Sequence, residues 1–469
     1  MIPLRDLNIN IAILTVAAIA MSGATCYAQD TTPVKPKIQD APLPPPIVLP
    51  GPDKVNPEVD NRPLTADEAV RIGLRNQPNV LIARSGLESA RARTSQAKAG
   101  LGPNVGVNAG YSFTRQFNGP DSAASTTFSS NSFSANATLR QLIYDFNHTR
   151  DLVKESAVLE TSASQNLTKV QSDLALQIKQ LFYTYAQDLL LIGVNEANVA
   201  NQQGHLDLAK ALLGSGLGLP SDVVRAQTAV ADAVLNLNLA RNNAAISVVS
   251  LATTMGIDPR TPIKQASSSE PKLLSDDVKG MVKTALSRRP EVLQAQANLD
   301  ASQISVHFAK TGNSPTFSAS LGLGSRDIDF PMDTNSFVIG ATVQFTPFDS
   351  GLQNGKVREA RANVISAQAQ LTAAQQNVTQ DVSEAYLNLR LAEQRVVTAD
   401  AEVANAQESV RLTEGRYKAG VGTFIDVLDA QNALTTAQSN RVNAASAVDQ
   451  AKAAVAHAIG AALPTRNAK

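Results

Sequence analysis

Cysteine, tryptophan and net charge are scarce or absent in this chain. Its 469 residues include one cysteine, Cys26, and no tryptophan, and aromatic residues make up only 4%. The 41 basic residues equal the 41 acidic ones, so no basic excess favours nucleic acid as a partner. A single cysteine excludes a disulfide framework. After the N-terminal segment, no apolar run approaches the roughly 18 residues that mark a membrane-spanning helix.

Residues 1–28 have the pattern of a secretory signal peptide. A short segment with one arginine precedes the apolar run Ile9–Met21, and small residues then lead to a cleavage site after Ala28. Cleavage there would remove the only cysteine. The alternative is a lipoprotein signal in which Cys26 is acylated, and it is less favoured because Thr25 stands where a smaller residue is usual.

The rest of the chain contains one unit twice. Asn76-Gln77-Pro78 is matched 212 residues later by Arg288-Arg289-Pro290, and Asp222-Val223 is matched 204 residues later by Asp426-Val427. The matches occur in the same order in both copies, which marks a duplicated supersecondary unit. The predicted divisions are a proline-rich arm (29–63), a first repeat (64–258), a linker (259–275), a second repeat (276–462) and a C-terminal tail (463–469).

Each repeat has two segments in which apolar and small polar residues alternate. In the first of them, Val105 and Val107 alternate with Asn104 and Gly106. Period two predicts strands, and about ten residues is the length of a tilted membrane strand. One face would be apolar, for lipid, and the other polar, for a lumen. Four strands cannot enclose a lumen, so an oligomer is implied. The predicted strands are ~104–116, ~132–144, ~315–327 and ~336–347.

The remainder of each repeat is predicted to be helical. No proline occurs from His148 to Leu213 or from Leu352 to Ala419, and some 65 helical residues span about 100 Å. Apolar residues between Leu371 and Val396 recur every three or four positions, as in a coiled-coil seam. The predicted fold class is therefore mostly α with a membrane β-barrel, built from a duplicated helix–strand–strand–helix–helix unit.

Several ordered segments resemble those of a known family. They are Leu64–Val70 with Asn76-Gln-Pro78 at the opening helix, Pro347–Gly351 at the strand-to-helix junction, Gln380–Leu389 in the long helix, and Gly415–Gly420 with Phe424–Gln431 at a helical turn. Together they resemble the TolC-like outer-membrane efflux protein family, the outer membrane factors of tripartite efflux and type I secretion systems. The resemblance covers roughly residues 62–462.

The resemblance implies a homotrimer. Three chains would supply four strands each to a 12-stranded barrel, which a long periplasmic α-helical barrel continues. It implies a protein of the Gram-negative outer membrane, surrounded by outer-membrane lipid and spanning into the periplasm. Such a protein is a passive exit duct, which receives substrates from a periplasmic adaptor (membrane fusion) protein and an inner-membrane pump or ABC transporter.

The resemblance also implies a periplasmic entrance constricted by acidic residues after the helical turn. The matching residues are Asp426 and Asp429. Three copies of each would form rings of carboxylates, which raise one another's pKa or attract cations. An aspartate near a helix start is alternatively a helix cap. One pattern in the family has an arginine four residues before the first aspartate, where this chain has Gly422.

The corresponding turn of the first repeat carries a different pair. Asp222 takes the place of Asp426, and Arg225 takes the place of Asp429. Asp222 is expected to be either a gate contact or a cap, and Arg225 suggests a link to a carboxylate of a neighbouring helix pair. Tyr417 is expected in a helix seam. The glycines expected to form the turns, whose tips would also contact the adaptor, are Gly216, Gly218, Gly420 and Gly422.

Motifs for catalysis, metals and cofactors are missing. The four histidines, His148, His205, His307 and His457, are scattered without ligand spacing, and no Gly-x-Ser-x-Gly segment occurs. The sequence therefore predicts no enzyme, no cofactor and no metal. The alternative to an export channel is a structural or adhesive periplasmic coiled-coil protein that its strands anchor in the outer membrane.

Overall fold

A computed structural model of the chain describes six stretches of it: 59, 62–117, 127–266, 277–328, 334–461 and 463. The expected signal segment with Cys26, most of the proline-rich arm, part of the linker and most of the C-terminal tail lie outside the described residues.

Each repeat contributes six elements in the same order. The first repeat forms α1 (Ala66–Asn76), α2 (Pro78–Ala99), β1 (Asn104–Phe117), β2 (Thr127–Tyr144), α3 (His148–Gly214) and α4 (Pro220–Thr254). The second forms α5 (Val278–Arg288), α6 (Pro290–Thr311), β3 (Thr316–Asp327), β4 (Thr334–Gln344), α7 (Leu352–Lys418) and α8 (Phe424–Ala458). The predicted duplication is thus confirmed. The helices α3 and α7 have 67 residues each, which corresponds to a length of about 100 Å.

Two strand ends differ from the prediction by three residues or more. β2 begins at Thr127 rather than near 132, because its first residues pair with the end of β1, up to Phe117 opposite Thr127. β4 ends at Gln344 rather than near 347. Pro347 follows closely, and proline has no amide hydrogen with which to continue a ladder.

The four strands form one antiparallel sheet in the order β1-β2-β3-β4, so β2 and β3 join the two repeats. The register aligns the alternating residues across all four strands. One row across the sheet is apolar and consists of Val105, Leu139, Leu321 and Ile339. The next row lies on the opposite face and consists of Gly106, Thr138, Gly322 and Val338. The apolar face is open to its surroundings, since Val107 and Ile339 are 75% and 74% exposed.

The helices pack side by side in the order α4-α3-α8-α7. One core lies where α1 and α4 meet α3 and includes Ile178, Phe182 and Met255. A second core lies where α5, α6 and α8 meet α7. It contains Leu371, Val378 and further members of the predicted seam. Helices α4 and α7 form the outer sides of this row.

The segments Asn76-Gln77-Pro78 and Arg288-Arg289-Pro290 dock onto the end of the last helix of their own repeat. The Gln77 side chain donates to the carbonyl of Thr254 at 3.1 Å, and that of Arg289 donates to the carbonyl of His457 at 3.1 Å. The glycine after each helix has a positive φ, 70° at Gly256 and 78° at Gly460. The match between the repeats therefore reflects a shared packing contact.

A polar network ties the two repeats together beside this contact. Arg289, which is buried, bonds to Asp381 at 3.0 Å and to Glu291 at 3.1 Å. His457 contacts Arg289 through Nδ1. Its Nε2 atom lies 2.9 Å from the carboxylate of Asp173 in α3. Partial burial alone would raise the pKa of Asp173, but the hydrogen bonds from His457 and Lys169 outweigh it and lower the pKa to about 2.

Replacing Gly256 by alanine tests the docking contact. A Cβ at Gly256 would lie 2.8 Å from the carbonyl carbon of Asn76, and φ is already 70°. We expect Gly256→Ala to lower the free energy of unfolding by more than about 1 kcal/mol. Gly193→Ala is the matched control, because Gly193 lies within α3 with no atom within 4 Å of a new Cβ. The control should gain about 0.5–1 kcal/mol. Equal thermal midpoints for the two variants would contradict the contact.

Acid stability tests the network. Because the pKa of Asp173 falls from 3.8 to about 2 on folding, its contribution is present above the unfolded value and is lost as the pH falls through the folded one. We expect the stability of Asp173→Asn to fall less steeply than wild type between about pH 4 and pH 2 in chemical unfolding. Asp232→Asn, which changes an exposed carboxylate of α4, should follow the wild type. If Asp173→Asn lost stability with falling pH as steeply as the wild type, the network would not be a source of the acid response.

Candidate functional site at the helix tips

Helices α3 and α7 end in the same backbone turn. In the first repeat the amide of Leu217 bonds to the carbonyl of Leu212, and Gly216 has a φ of 78°. In the second, the amide of Val421 bonds to the carbonyl of Arg416, and Gly420 has a φ of 72°. This six-to-one bond with a left-handed glycine is the Schellman motif. The two turns are therefore structural equivalents.

An apolar side chain projects from each turn. Leu217 is 82% exposed and Val421, its equivalent, is 69% exposed. The glycine after each of them packs closely, since a Cβ at Gly218 would lie 2.7 Å from the Leu213 nitrogen, and one at Gly422 would lie 3.0 Å from the Arg416 Cβ. The tips thus present an exposed apolar residue on a tightly wound turn.

Asp426 caps its own helix. Its carboxylate accepts a hydrogen bond from the Thr423 amide at 3.1 Å, and its amide donates to the Thr423 hydroxyl at 3.3 Å, which is a capping box. The bond from the Thr423 backbone holds the pKa of Asp426 below its usual value. Asp429 lies one turn further on the same helix, and both side chains are exposed. Asp426 is therefore a charged cap at the surface of the tip.

Asp222, the equivalent of Asp426, is buried instead of exposed. The N-cap of α4 is Leu219, where α8 has Thr423, so no hydroxyl is available for a capping box. The Asp222 carboxylate faces α7 and accepts a hydrogen bond from the Tyr417 hydroxyl at 3.5 Å. One residue difference at the cap thus turns this aspartate from a local cap into a contact between repeats.

Arg225 is exposed, one turn after Asp222. Its guanidinium lies 4.0 Å from the Asp222 carboxylate of the same helix. Among the described residues of one chain, this is the carboxylate that Arg225 meets. The link from Arg225 to a neighbouring helix pair stays a prediction.

All four long helices meet around Tyr417. Its ring packs on Phe424 with centroids 5.4 Å apart, and the surrounding apolar residues come from α3, α4 and α8. Burial raises the pKa of Tyr417, and the neighbouring Asp222 charge raises it further, so the phenol stays protonated as a donor. Sequence reasoning placed Tyr417 in a seam but missed its bond to Asp222, because the partner lies 195 residues away.

A polar layer interrupts the seam between α3 and α8 near the tips. Gln202 and His205 of α3 are only 2% and 7% exposed, and Gln431 of α8 is 2% exposed. Gln202 Oε1 and His205 Nε2 have no hydrogen-bond partner among the described residues. Unpaired buried polar atoms cost free energy, so the repeats are held together less tightly here than along an apolar seam.

His205 is held neutral in this layer. Burial lowers the pKa of His205, although Glu414, 3.8 Å away, and Gln431 act in the opposite direction. No periodicity signals this layer in the sequence, because single glutamines and histidines are ordinary on exposed helix faces.

Metal ligands do not cluster in the described part of the chain, where no group of three His, Cys, Asp or Glu side chains could hold an ion. Among the described helices, none combines the length and hydrophobicity needed to cross a lipid bilayer.

Comparison with known proteins identifies the same two repeats. The family model described as "Outer membrane efflux protein" matches residues 71–257 and 281–461. The pyoverdine export outer membrane protein OpmQ of Pseudomonas putida is 26% identical over 85% of this chain and 87% of its own length. The outer membrane protein TolC of Escherichia coli is 24% identical over 76% of this chain and 74% of its own length.

The fold is also similar to a solved structure. The outer membrane protein VceC of Vibrio cholerae superposes with a TM-score of 0.74, at 18% identity, over 85% of this chain and 97% of that one. At this identity the likeness concerns the fold.

Mild acid is expected to loosen the contact between α3 and α8 at the polar layer. The pKa of His205 is below its ordinary 6.5 when packed, so a separated interface binds a proton that the packed one does not. The stability of this contact is therefore present above the ordinary pKa and decreases as the pH falls below it. Amide exchange around His205 and Gln431, corrected for intrinsic rates, should increase from about pH 7 to about pH 5.5.

The variant His205→Leu should lose most of this response, since leucine has no proton to bind. His307→Leu is the matched control, because His307 contacts Asp151 at the other end of α3. An unchanged pH response in His205→Leu would show that His205 is not its source.

Proposed function

The chain belongs to the outer membrane efflux protein family, and from this premise we propose that it is the exit duct of a tripartite efflux or type I secretion system. As a member of this family it is an outer-membrane efflux channel and not an enzyme. The finer proposal concerns its assembly, its partners and its gate.

The proposed assembly is a homotrimer. One observation supports it: the outermost strands and the outermost helices of the chain lie on the same two sides of the unit. The sheet runs β1-β2-β3-β4 and the helices run α4-α3-α8-α7, so the first repeat forms one side of both layers and the second repeat the other. Unpaired strand edges and unburied helix faces call for a partner. One rotation axis can therefore close both layers, into a 12-stranded barrel and a helical barrel.

The outer helices carry the apolar residues that such an assembly would bury. Helix α4 exposes Leu235, Leu239 and Ile246, and helix α7 exposes Leu387 and Leu391. Apolar stripes on both outer sides fit a head-to-tail ring, in which α4 of one protomer packs on α7 of the next.

The tips are the proposed docking point for a periplasmic adaptor, behind which an inner-membrane pump or ABC transporter would supply energy. Leu217 and Val421 offer exposed apolar contacts. The glycines Gly216, Gly218, Gly420 and Gly422 keep the turns narrow, so that a partner can approach the backbone.

The tips are also the proposed gate. In a trimer, the exposed carboxylates Asp426 and Asp429 would occur three times around one axis, and their field would favour cations. The bond between Tyr417 and Asp222 would hold the two repeats together while the entrance is closed. The polar layer above it would let them separate at low cost. Arg225 would reach a carboxylate of the adjacent protomer.

Conductance of single channels in a planar bilayer tests the proposal. We expect the wild type to give a small, cation-selective conductance. Asp426→Asn with Asp429→Asn removes both charges but keeps an acceptor at the cap, so it should raise the conductance and weaken the cation preference. Asp232→Asn with Glu359→Gln is the control, since it removes two exposed carboxylates outside the tips.

The possible outcomes test the channel and the gate separately. A conductance that the tip variant leaves unchanged would keep the channel and exclude these aspartates from its constriction. The absence of conductance from folded trimers would contradict the channel and favour a structural coiled-coil protein.

A further inference from the structure

Exposed aromatic rings surround the point where the strands end and the long helices begin. Phe348 is 83% exposed, and Phe345, Tyr144 and Phe146 are 54%, 49% and 39% exposed. The rings of Tyr144 and Phe146 lie against each other, with centroids 4.8 Å apart. Tyr144 has an apolar ring and a polar hydroxyl, the kind of side chain that is enriched at the boundary between hydrocarbon and water, and the phenylalanines add exposed apolar surface beside it. The rings therefore indicate the level of a membrane surface on this molecule.

Exposed cations lie on the helix turns next to these rings. We call five of them the junction collar: Lys98 at the end of α2, Arg150 at the start of α3, Lys310 at the end of α6, and Lys356 and Arg358 at the start of α7. Four separate helices thus bring positive charge to the same level. In the described part of the chain none of the five forms an ion pair with a carboxylate.

Two of the aspartates at the same level are buried in the protein. Asp145 is buried and accepts the Thr149 amide at 2.7 Å. Asp151 is buried and meets His307 and Lys154.

The aspartate of the second repeat is partly exposed and forms local hydrogen bonds. Asp349 accepts the Gln353 amide at 2.7 Å and the Asn313 side chain at 3.0 Å. Two glutamates remain on these turns, Glu359, which is exposed, and Glu155, which is partly buried. The five exposed cations of the collar therefore outnumber the carboxylates that reach the surface beside them, exposed Glu359 and partly exposed Asp349 and Glu155.

The tips at the other end of the long helices differ. Exposed Asp426 and Asp429 stand there beside Arg225, Arg416 and Lys418, so charges of both signs are mixed. Because the whole chain has no net charge, the excess of cations at the collar is a local feature and does not follow from composition.

We propose that the junction collar binds the headgroups of anionic phospholipids in the membrane leaflet next to the helices. This rests on the proposed function, which places the sheet in the membrane. Lysine and arginine just outside a hydrocarbon layer attract anionic lipid, and each cation strengthens the association about five-fold. Several cations on rigid helices would order a shell of such lipids around the protein. The attraction falls as salt screens it.

The test uses the full-length protein assembled in nanodiscs of phosphatidylcholine with a graded fraction of phosphatidylglycerol. Retention of phosphatidylglycerol over phosphatidylcholine by the purified protein is measured by lipid mass spectrometry. The collar variant combines Lys98→Gln, Lys310→Gln, Lys356→Gln and Arg358→Gln. The control combines four exposed cations away from the collar, Arg84→Gln, Lys210→Gln, Lys264→Gln and Lys283→Gln.

We expect the wild type and the control to enrich phosphatidylglycerol, and the collar variant to enrich it at least ten-fold less. Raising the salt should lower the enrichment in the wild type. Equal enrichment by the collar variant and the control would overturn the proposal, as would loss of enrichment on adding inorganic phosphate at constant ionic strength, which would identify a free-anion site.

Single-channel conductance is measured on the same preparations, so that failure of the lipid-binding proposal can be distinguished from failure of the proposed function. Channels that conduct normally without enriching anionic lipid contradict the collar alone. Folded protein that does not conduct contradicts the channel, whatever lipid it retains.

Discussion

The side-by-side pairing of the two repeats is the constraint on which the rest of the structure depends. It is made in three places, by the ladder between β2 and β3 in the sheet and by the packing of α3 against both α6 and α8 in the helices. Because all three contacts join the same two repeats, the strands and the helices of one unit have their unpaired edges on the same two sides. When such units form a ring, one rotation axis closes both layers. The sheet and the helices of each unit then cover the same fraction of the circle.

Because of the duplication, each local structural motif occurs twice. Small sequence differences between the two copies give them different roles. Both tips use a Schellman turn with a left-handed glycine. The N-cap after the turn is Thr423 in one copy and Leu219 in the other. The first engages Asp426 as an exposed cap, whereas the second leaves Asp222 to bond to Tyr417 across the repeats. The same logic holds at the other helix junction, where Gln77 makes one hydrogen bond and Arg289 makes a network that reaches α3.

The contacts between the two repeats change in kind along the long helices. Near the junctions of α1 with α2 and of α5 with α6, each repeat has its own apolar core, and the Arg289 network joins the repeats through the bond between His457 and Asp173. Towards the tips, Gln202, His205 and Gln431 replace apolar seam residues, and two of their buried polar atoms lack partners among the described residues. Beyond this layer, at the tips, the apolar cluster around Tyr417 joins α3, α4, α7 and α8. Local opening would therefore begin at the polar layer itself, because opening draws on the least stable contacts.

Local patterns in the sequence determined much of the fold. Period-two alternation identified the four strands, and the proline-free stretches with their three-to-four spacing identified α3 and α7, because these periods follow directly from backbone geometry. The internal offsets revealed the duplication. The sequence also located Asp222, Arg225, Asp426 and Asp429 at the turns, and it offered both a pore and a cap for Asp426.

Only the tertiary structure decided how these residues are used. It buried Asp222 against Tyr417, exposed Asp426 on its cap, placed His205 in an interface and set the cations of α2, α3, α6 and α7 at one level. Each of these outcomes depends on residues far apart in the chain, from the two repeats or from separate helices. Burial and charge neighbourhood are properties of packed surfaces, and a linear pattern does not specify which surfaces meet.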